Sequence, residues 1–210
     1  MNHKNGSVTN IFLAVEFDDD TKQLLARKLF LLDYKDYLRT EPKRNFHITL
    51  GYIREVHETQ RREIINAFKP LKEHHPFTAH VEAPIIFGAH HQMLCVRHSP
   101  FEMFDELHTT AKALLSEHTQ FKFDEKHPTF IPHTKIQTVR RSTSHEMRDE
   151  IVFEFNRLNM RKLDFKVKSL ALMHRIDKDY ITLYRYELKK PGSPSSGHEE
   201  ETQENLGRED

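Results

Sequence analysis

The sequence predicts an α+β fold of two similar lobes, each a small antiparallel sheet carrying helices, which face each other across a central cleft. Three observations predict it. Strand-like segments rich in β-branched and aromatic residues stand before and after each helical one. The chain has 210 residues, enough to bury one real core and too few for two full domains. Finally, two strand segments carry the same pattern of a histidine followed two residues later by a polar side chain, at His47 and His133.

In chain order, residues 11–17 (IFLAVEF) are apolar and compact and suit a buried strand. The acidic turn Asp18-Asp19-Asp20 then opens a helix expected over residues 21–37. Residues 45–53 (NFHITLGYI) read as strand, 59–68 as helix, and 77–83 and 93–96 as strands. Ser99-Pro100-Phe101-Glu102 combines an N-cap, a proline at the first helical position and the Glu of a capping box. A helix to about residue 118 should follow, with Phe104, Leu107, Ala111 and Leu114 on one stripe. Residues 130–139 are a strand candidate, and Ser144 caps a helix with Met147, Ile151, Phe155 and Leu158 on one face. Residues 164–175 and 180–188 alternate in period two around Asp177-Lys178-Asp179, a closing hairpin.

Composition excludes several function classes. No run of 18 apolar residues exists, so no transmembrane helix is expected, and MNHKNGSVTN lacks the apolar stretch of a secretory signal. The expected location is cytoplasmic. Cys95 is the one cysteine, which rules out intramolecular disulfides and multi-cysteine zinc sites. The 32 basic and 32 acidic residues balance, but unevenly. The segment 191–210 holds six acids and one base and reads as a disordered acidic tail, leaving the body with 31 bases against 26 acids. That mild excess suits a small phosphorylated substrate and falls short of a duplex-DNA binder. The expected organisation is a flexible N-terminus over residues 1–9, one bilobal unit over 10–190 and the tail, as a monomer.

Sixteen histidines demand a choice. His74-His75 and His90-His91 fall in loop-like sequence, and His57, His118 and His145 at helix ends, where a surface role suffices. No HExxH motif is present, so no metal site is expected. His47 and His133 differ because each lies inside a strand pattern. Residues i and i+2 of a strand share a face, so His47 projects with Thr49 and His133 with Lys135. Two imidazoles facing across a cleft can cleave a phosphodiester without metal: one takes a proton from the attacking hydroxyl or water, the other protonates the leaving oxygen. Thr49 and Lys135 would hold the non-bridging oxygens. Periodicity alone also allows two unrelated strand histidines.

The chain resembles the two-histidine phosphoesterase superfamily, also called LigT-like, in the residues that carry its hallmark. His47-Ile48-Thr49-Leu50 matches the family's His-x-Thr/Ser-x motif, with Arg44-Asn45-Phe46 before it and Gly51-Tyr52-Ile53-Arg54-Glu55-Val56 after it. Phe130-Ile131-Pro132-His133 resembles the Phe-x-Pro-His that introduces the second motif. Residues 11–15 resemble the opening strand and the hairpin over 170–186 the closing ones, so the likeness spans about 10–188. The second motif departs: Lys135 stands where the family has Thr or Ser, and Thr138 where an Arg often lies five residues after the histidine. Either Lys135 supplies the cation that position 138 lacks, or a bulge turns Thr134 into the cleft, or this lobe is degenerate and weakly active.

The resemblance implies a metal-independent phosphodiesterase with no cofactor, with His47 and His133 catalytic, His133 as base and His47 as acid. The substrate would be an RNA end or nucleotide bearing a 2′,3′-cyclic phosphate or a 2′,5′ linkage, held by Thr49 and Lys135, with Tyr52, Phe130 and Phe12 stacking the base. Two alternatives remain: a 2′,5′-oligoadenylate or other nucleotide phosphodiesterase of the same fold, and a catalytically weak RNA-binding module.

Overall fold

A computed structural model describes residues 8–29, 32–88, 92–124, 129–158, 163–177 and 179–189. The expectations for residues 1–7, for His90-His91, for Lys178 and for the acidic tail lie outside these residues. Thirteen regular elements are described: β1 (Val8–Glu16), α1 (Asp19–Leu29), β2 (Leu38–Thr40), β3 (His47–His57), α2 (Arg61–Ala67), β4 (Phe77–Phe87), β5 (Met93–Ser99), α3 (Phe101–His118), β6 (His133–Val139), α4 (His145–Asn156), β7 (Asp164–Val167), β8 (Ser169–Ile176) and β9 (Asp179–Glu187).

They build two antiparallel sheets, ordered β3-β1-β8-β9 and β2-β6-β5-β4-β7. The α+β architecture of two sheet-bearing lobes is as the sequence predicts. The lobes are not successive halves of the chain, however. The first sheet joins the N-terminal β1 and β3 to the C-terminal β8 and β9, while the second takes β2 from the N-terminal part. The run IFLAV is apolar throughout because both its faces are covered. Ile11, Leu13 and Val15 enter the main core, and Phe12 and Ala14 join Ala171 and Met173 in a smaller cluster on the other face.

Four local expectations are corrected. The first helix ends at Leu29 instead of reaching residue 37. Asp33 and Asp36 favour turns over helix interiors, Leu38 N–H bonds the Tyr34 carbonyl at 2.8 Å, and β2 then pairs with β6. Ser99 does not cap α3: it remains in β5 with its hydroxyl 2.8 Å from His80 Nε2, and Pro100 is the N-cap without a side-chain bond. Leu115, not Leu114, completes the buried stripe with Phe104, Leu107 and Ala111. Residues 164–175 are two strands rather than one. The chain breaks at Lys168, so that β7 pairs with β4 in one sheet and β8 with β1 in the other. Ser144 caps α4 as expected, its hydroxyl accepting from Met147 N–H at 3.3 Å.

Candidate active site

Strands β3 and β6 open on His47 and His133, and their first seven residues follow one burial sequence: half-buried, buried, half-buried, buried, buried, half-buried, buried. Strict period two would not give two adjacent buried positions. Each strand carries a register shift in the same place. Against β1, Thr49 pairs with Ala14 and Gly51 with Leu13, so Leu50 is an extra residue. Against β5, Lys135 pairs with Cys95 and Gln137 with Leu94, so Ile136 is extra. Such a bulge reverses the alternation beyond it. Tyr52 therefore joins the face of His47 and Thr49, and Thr138 that of His133 and Lys135.

The two rings are held alike. Nδ1–H of His47 donates to the Asn45 carbonyl at 2.7 Å, and Nδ1–H of His133 to the Ile131 carbonyl at 2.7 Å. Each imidazole is thereby oriented by the backbone two residues upstream, its Nδ1 carrying the hydrogen. The Thr49 hydroxyl lies 3.0 Å from His47 Nε2 and donates to it when the ring is neutral. Burial, together with the positive field of Lys135 and His133, pushes the His47 pKa down to about 4 against the opposing pull of the Asn45 carbonyl and Glu41. The His47 ring is thus neutral at pH 7.

The strands are also tied to each other. Thr134 is fully buried, and its hydroxyl donates to the His47 carbonyl at 3.1 Å while standing 2.8 Å from His98 Nε2. Burial and the nearby His133 and His80 push the His98 pKa to about 3, so its neutral ring donates Nε2–H to Thr134. The resulting chain runs from His98 through Thr134 to the backbone of His47. Thr134 therefore faces the core, and of the expectations for this motif it is Lys135 that shares the cleft face with His133.

Lys135 is not a bare cation. Its ammonium lies 2.6 Å from Glu41 Oε2, with the two side chains 31% and 14% exposed. Burial works against the Glu41 carboxylate, but the bonds from Lys135 and from Asn45 Nδ2 at 3.1 Å outweigh it and hold its pKa below the usual range. Cys95 beside Lys135 is buried, which pushes its thiol up to about 12.

The aromatic candidates part company. Tyr52 and Phe130 line a cleft of about 900 Å3 with Thr49, His133, Phe87 and the α3 residues His108 and Lys112. Phe12 is 4% exposed. It lies beneath the site rather than in it, its ring 5.0 Å from His47 and 6.3 Å from Tyr52. Three rings were missed. Tyr180 packs edge-on to His47 at 4.9 Å and Phe87 lies 4.4 Å from His133. His108 stacks on Phe130 at 4.4 Å and 2° and donates Nδ1–H at 2.7 Å to the carbonyl of Leu50, the bulge residue. No motif surrounds Tyr180 or Phe87. His108 sits in the polar stripe of an amphipathic helix, which in sequence reads as a solvated face.

The family model "LigT like Phosphoesterase" matches residues 17–89, which contain the first motif. Nothing among curated proteins matches the chain. Among solved structures, TT0787 of Thermus thermophilus shares the fold at a TM-score of 0.70 and 16% identity, covering 87% of this chain and 99% of that one. LigT of E. coli in apo form gives 0.66 at 11% identity over 88% of this chain and 100% of its own. Usb1 of Kluyveromyces marxianus, solved with uridine monophosphate, gives 0.53 at 12% identity over 86% and 99%.

Proposed function

From membership of the LigT-like phosphoesterase superfamily, carried by the family match over residues 17–89 and by a fold shared along nearly nine tenths of the chain, we propose that this phosphodiesterase works by two-histidine acid–base catalysis on nucleotide or RNA phosphodiesters at the 2′ position. The observation that carries it is the matched pair of rings, each at the head of a bulged strand and each with Nδ1–H tied to the carbonyl two residues before it.

The depressed pKa of His47 supports a division of labour opposite to the one the resemblance implies. His47 Nε2, neutral at pH 7, takes the proton from the attacking water or hydroxyl, and His133 in its protonated form gives one to the leaving 2′, 3′ or 5′ oxygen. The next turnover begins when the proton passes back through solvent. Thr49 donates to the phosphoryl oxygens in place of His47 once that ring is charged, and Lys135 stabilises their growing negative charge. Proton transfer and charge stabilisation are then both supplied by side chains, with no role left for a metal. LigT has been solved with 3′-AMP, ATP, NADP+ and phosphate, which supports a nucleotide phosphate as the substrate class here.

Incubation with a 2′,3′-cyclic nucleotide, with 2′,5′-oligoadenylate and with a 3′,5′-linked control, all in EDTA, tests the reading. The expected result is turnover of one of the first two, abolished in His47→Ala and His133→Ala. Turnover that needs added zinc or manganese would overturn the mechanism. The neutralisation of Lys135 by Glu41 favours one second reading, an RNA-binding module of slow turnover, which would bind these ligands in the same assay without releasing product.

A further inference from the structure

The site has two arms of different character, one a cavity and one an open strand face. One runs along β3, where Tyr52, Phe130, His108 and Lys112 line the 900 Å3 space between β3 and α3. It has room and flat rings for a nucleoside. The other is the surface of β6 from His133 past Lys135 to Thr138, outside that space and bordered by β2.

Strand β2 pairs with β6 so that Arg39 stands directly opposite Thr138. Residues directly opposite in an antiparallel pair project from the same face. Since the bulge at Ile136 places Thr138 on the face of His133 and Lys135, Arg39 lies on that face too. Two residues on, just past the end of β2, Glu41 reaches Lys135 and neutralises it. Arg39 differs: it is exposed, and among the described residues it makes no ion pair or hydrogen bond through its side chain. Opposite Thr138, it stands three residues farther along β6 from His133 than Lys135 does, roughly 10 Å of strand rise.

We propose that Arg39 binds the phosphate of the nucleotide next to the reacting one, so that the second arm carries the continuing chain of an oligonucleotide substrate. The inference rests on the phosphodiesterase reading above and adds the residue that distinguishes an oligonucleotide from a mononucleotide. A guanidinium is suited to this because its planar fork holds two phosphate oxygens at once and it stays charged at any working pH. Thr138 beside it adds a hydroxyl donor. An orphan cation at this distance adds nothing to the reacting phosphate, which Lys135 already serves, and its benefit appears only when a second phosphate is present.

The test compares kcat/KM for a 2′,3′-cyclic mononucleotide with that for a short oligoribonucleotide ending in the same cyclic phosphate, in the parent, Arg39→Gln and Arg39→Lys. Arg39→Gln should lower the ratio of oligonucleotide to mononucleotide by 10-fold or more, and Arg39→Lys should recover part of it. An unchanged ratio, whether both substrates fall together or neither falls, overturns the proposal. Binding of a fluorescently labelled oligoribonucleotide by the full chain keeps the matter separate from catalysis. There Arg39→Gln should weaken binding and reduce the salt dependence by roughly one phosphate contact, even in a His47→Ala background. If the parent cleaves neither substrate, the enzymatic reading fails and this binding result alone decides: equal binding by parent and Arg39→Gln overturns the assignment.

Discussion

Strands β3 and β6 present two versions of one backbone device. Position by position they share burial, bulge and the tether on the histidine ring, yet the residues between differ: Ile48, Thr49, Gly51 and Tyr52 in one, Thr134, Lys135, Gln137 and Thr138 in the other. The difference teaches that the frame decides where a side chain points, and the neighbour at the open edge decides which side chain is useful there. Beside β3 lies the segment around Phe123 and Asp124, whose Asp124 N–H bonds the Tyr52 carbonyl at 2.7 Å, and behind it α3. Its edge is walled by rings. Beside β6 lie β2 and the residue that follows it, which bring Arg39 and Glu41, so its edge is walled by charge.

The largest effect tests what the two strands share. If each ring transfers a proton in the same chemical step, His47→Ala and His133→Ala should each lower kcat by about 10² to 10⁴, roughly 3 to 5 kcal/mol, and the double variant should lose little more than either. Steady-state kinetics on folded variants decides it. A single variant retaining near-parent kcat would leave the symmetry as a matter of folding alone.

Much of this was legible in the sequence, and the rest was hidden for identifiable reasons. Strands announce themselves through runs such as IFLAV and FHITL, and the His-x-Thr and Pro-His-x-Lys patterns placed both rings on matching faces. The bulges were invisible, because Leu50 and Ile136 are ordinary apolar residues and only their partners in β1 and β5 show them to be extra. In sequence Tyr52 therefore stands out only by its nearness to the motif, while the reversal of alternation is what places it on the face of His47. The helix expected over 21–37 and the strand expected over 164–175 failed alike: local pattern ran on while a tertiary pairing claimed the segment. Glu41 carried no signal at all, since its partner Lys135 lies 94 residues away.

Next in size are the substitutions that probe the unlike inner residues. Thr134→Val removes a buried hydroxyl and leaves both the His98 Nε2–H and its bridge to His47 unmade, a cost of about 1 to 3 kcal/mol in denaturant unfolding. Ile48→Val, its counterpart, should cost roughly 0.5 to 1.5 kcal/mol as a simple loss of packing. Only the former should also lower kcat, with Thr134→Ser restoring it, since of the two it is Thr134 that hydrogen-bonds across to the other motif strand. Gly51→Ala should be comparable in cost, about 1 to 3 kcal/mol, because an added Cβ would collide with the Phe123 ring, which must shift to make room. It should raise KM more than it lowers kcat, whereas Gln137→Ala at the matching position should leave KM near the parent value.

The smallest expected effect is the most discriminating, because it separates the charges that only β6 and its neighbour possess. Lys135 pushes the His47 pKa down, and Glu41 pulls it up. Removing the lysine alone strips away the first and exposes the second, so Lys135→Ala should raise the His47 pKa by roughly one unit. A base works unprotonated, so its activity is lost as pH falls through its pKa, and the acidic limb of kcat/KM should move from near pH 4 upward by the same amount. The rate on the plateau should fall by about 10-fold, roughly 1.4 kcal/mol, for the lost stabilisation of the phosphoryl oxygens. Lys135→Thr copies the residue of β3 yet should fare no better, because it too leaves the half-buried Glu41 carboxylate unpaired. Combining it with Glu41→Gln removes both opposing charges, and the acidic limb should return toward its parent position while the plateau stays low. Were the alkaline limb to move instead, His47 would be the acid and His133 the base, and the field of Lys135 would be acting on the proton donor rather than the acceptor.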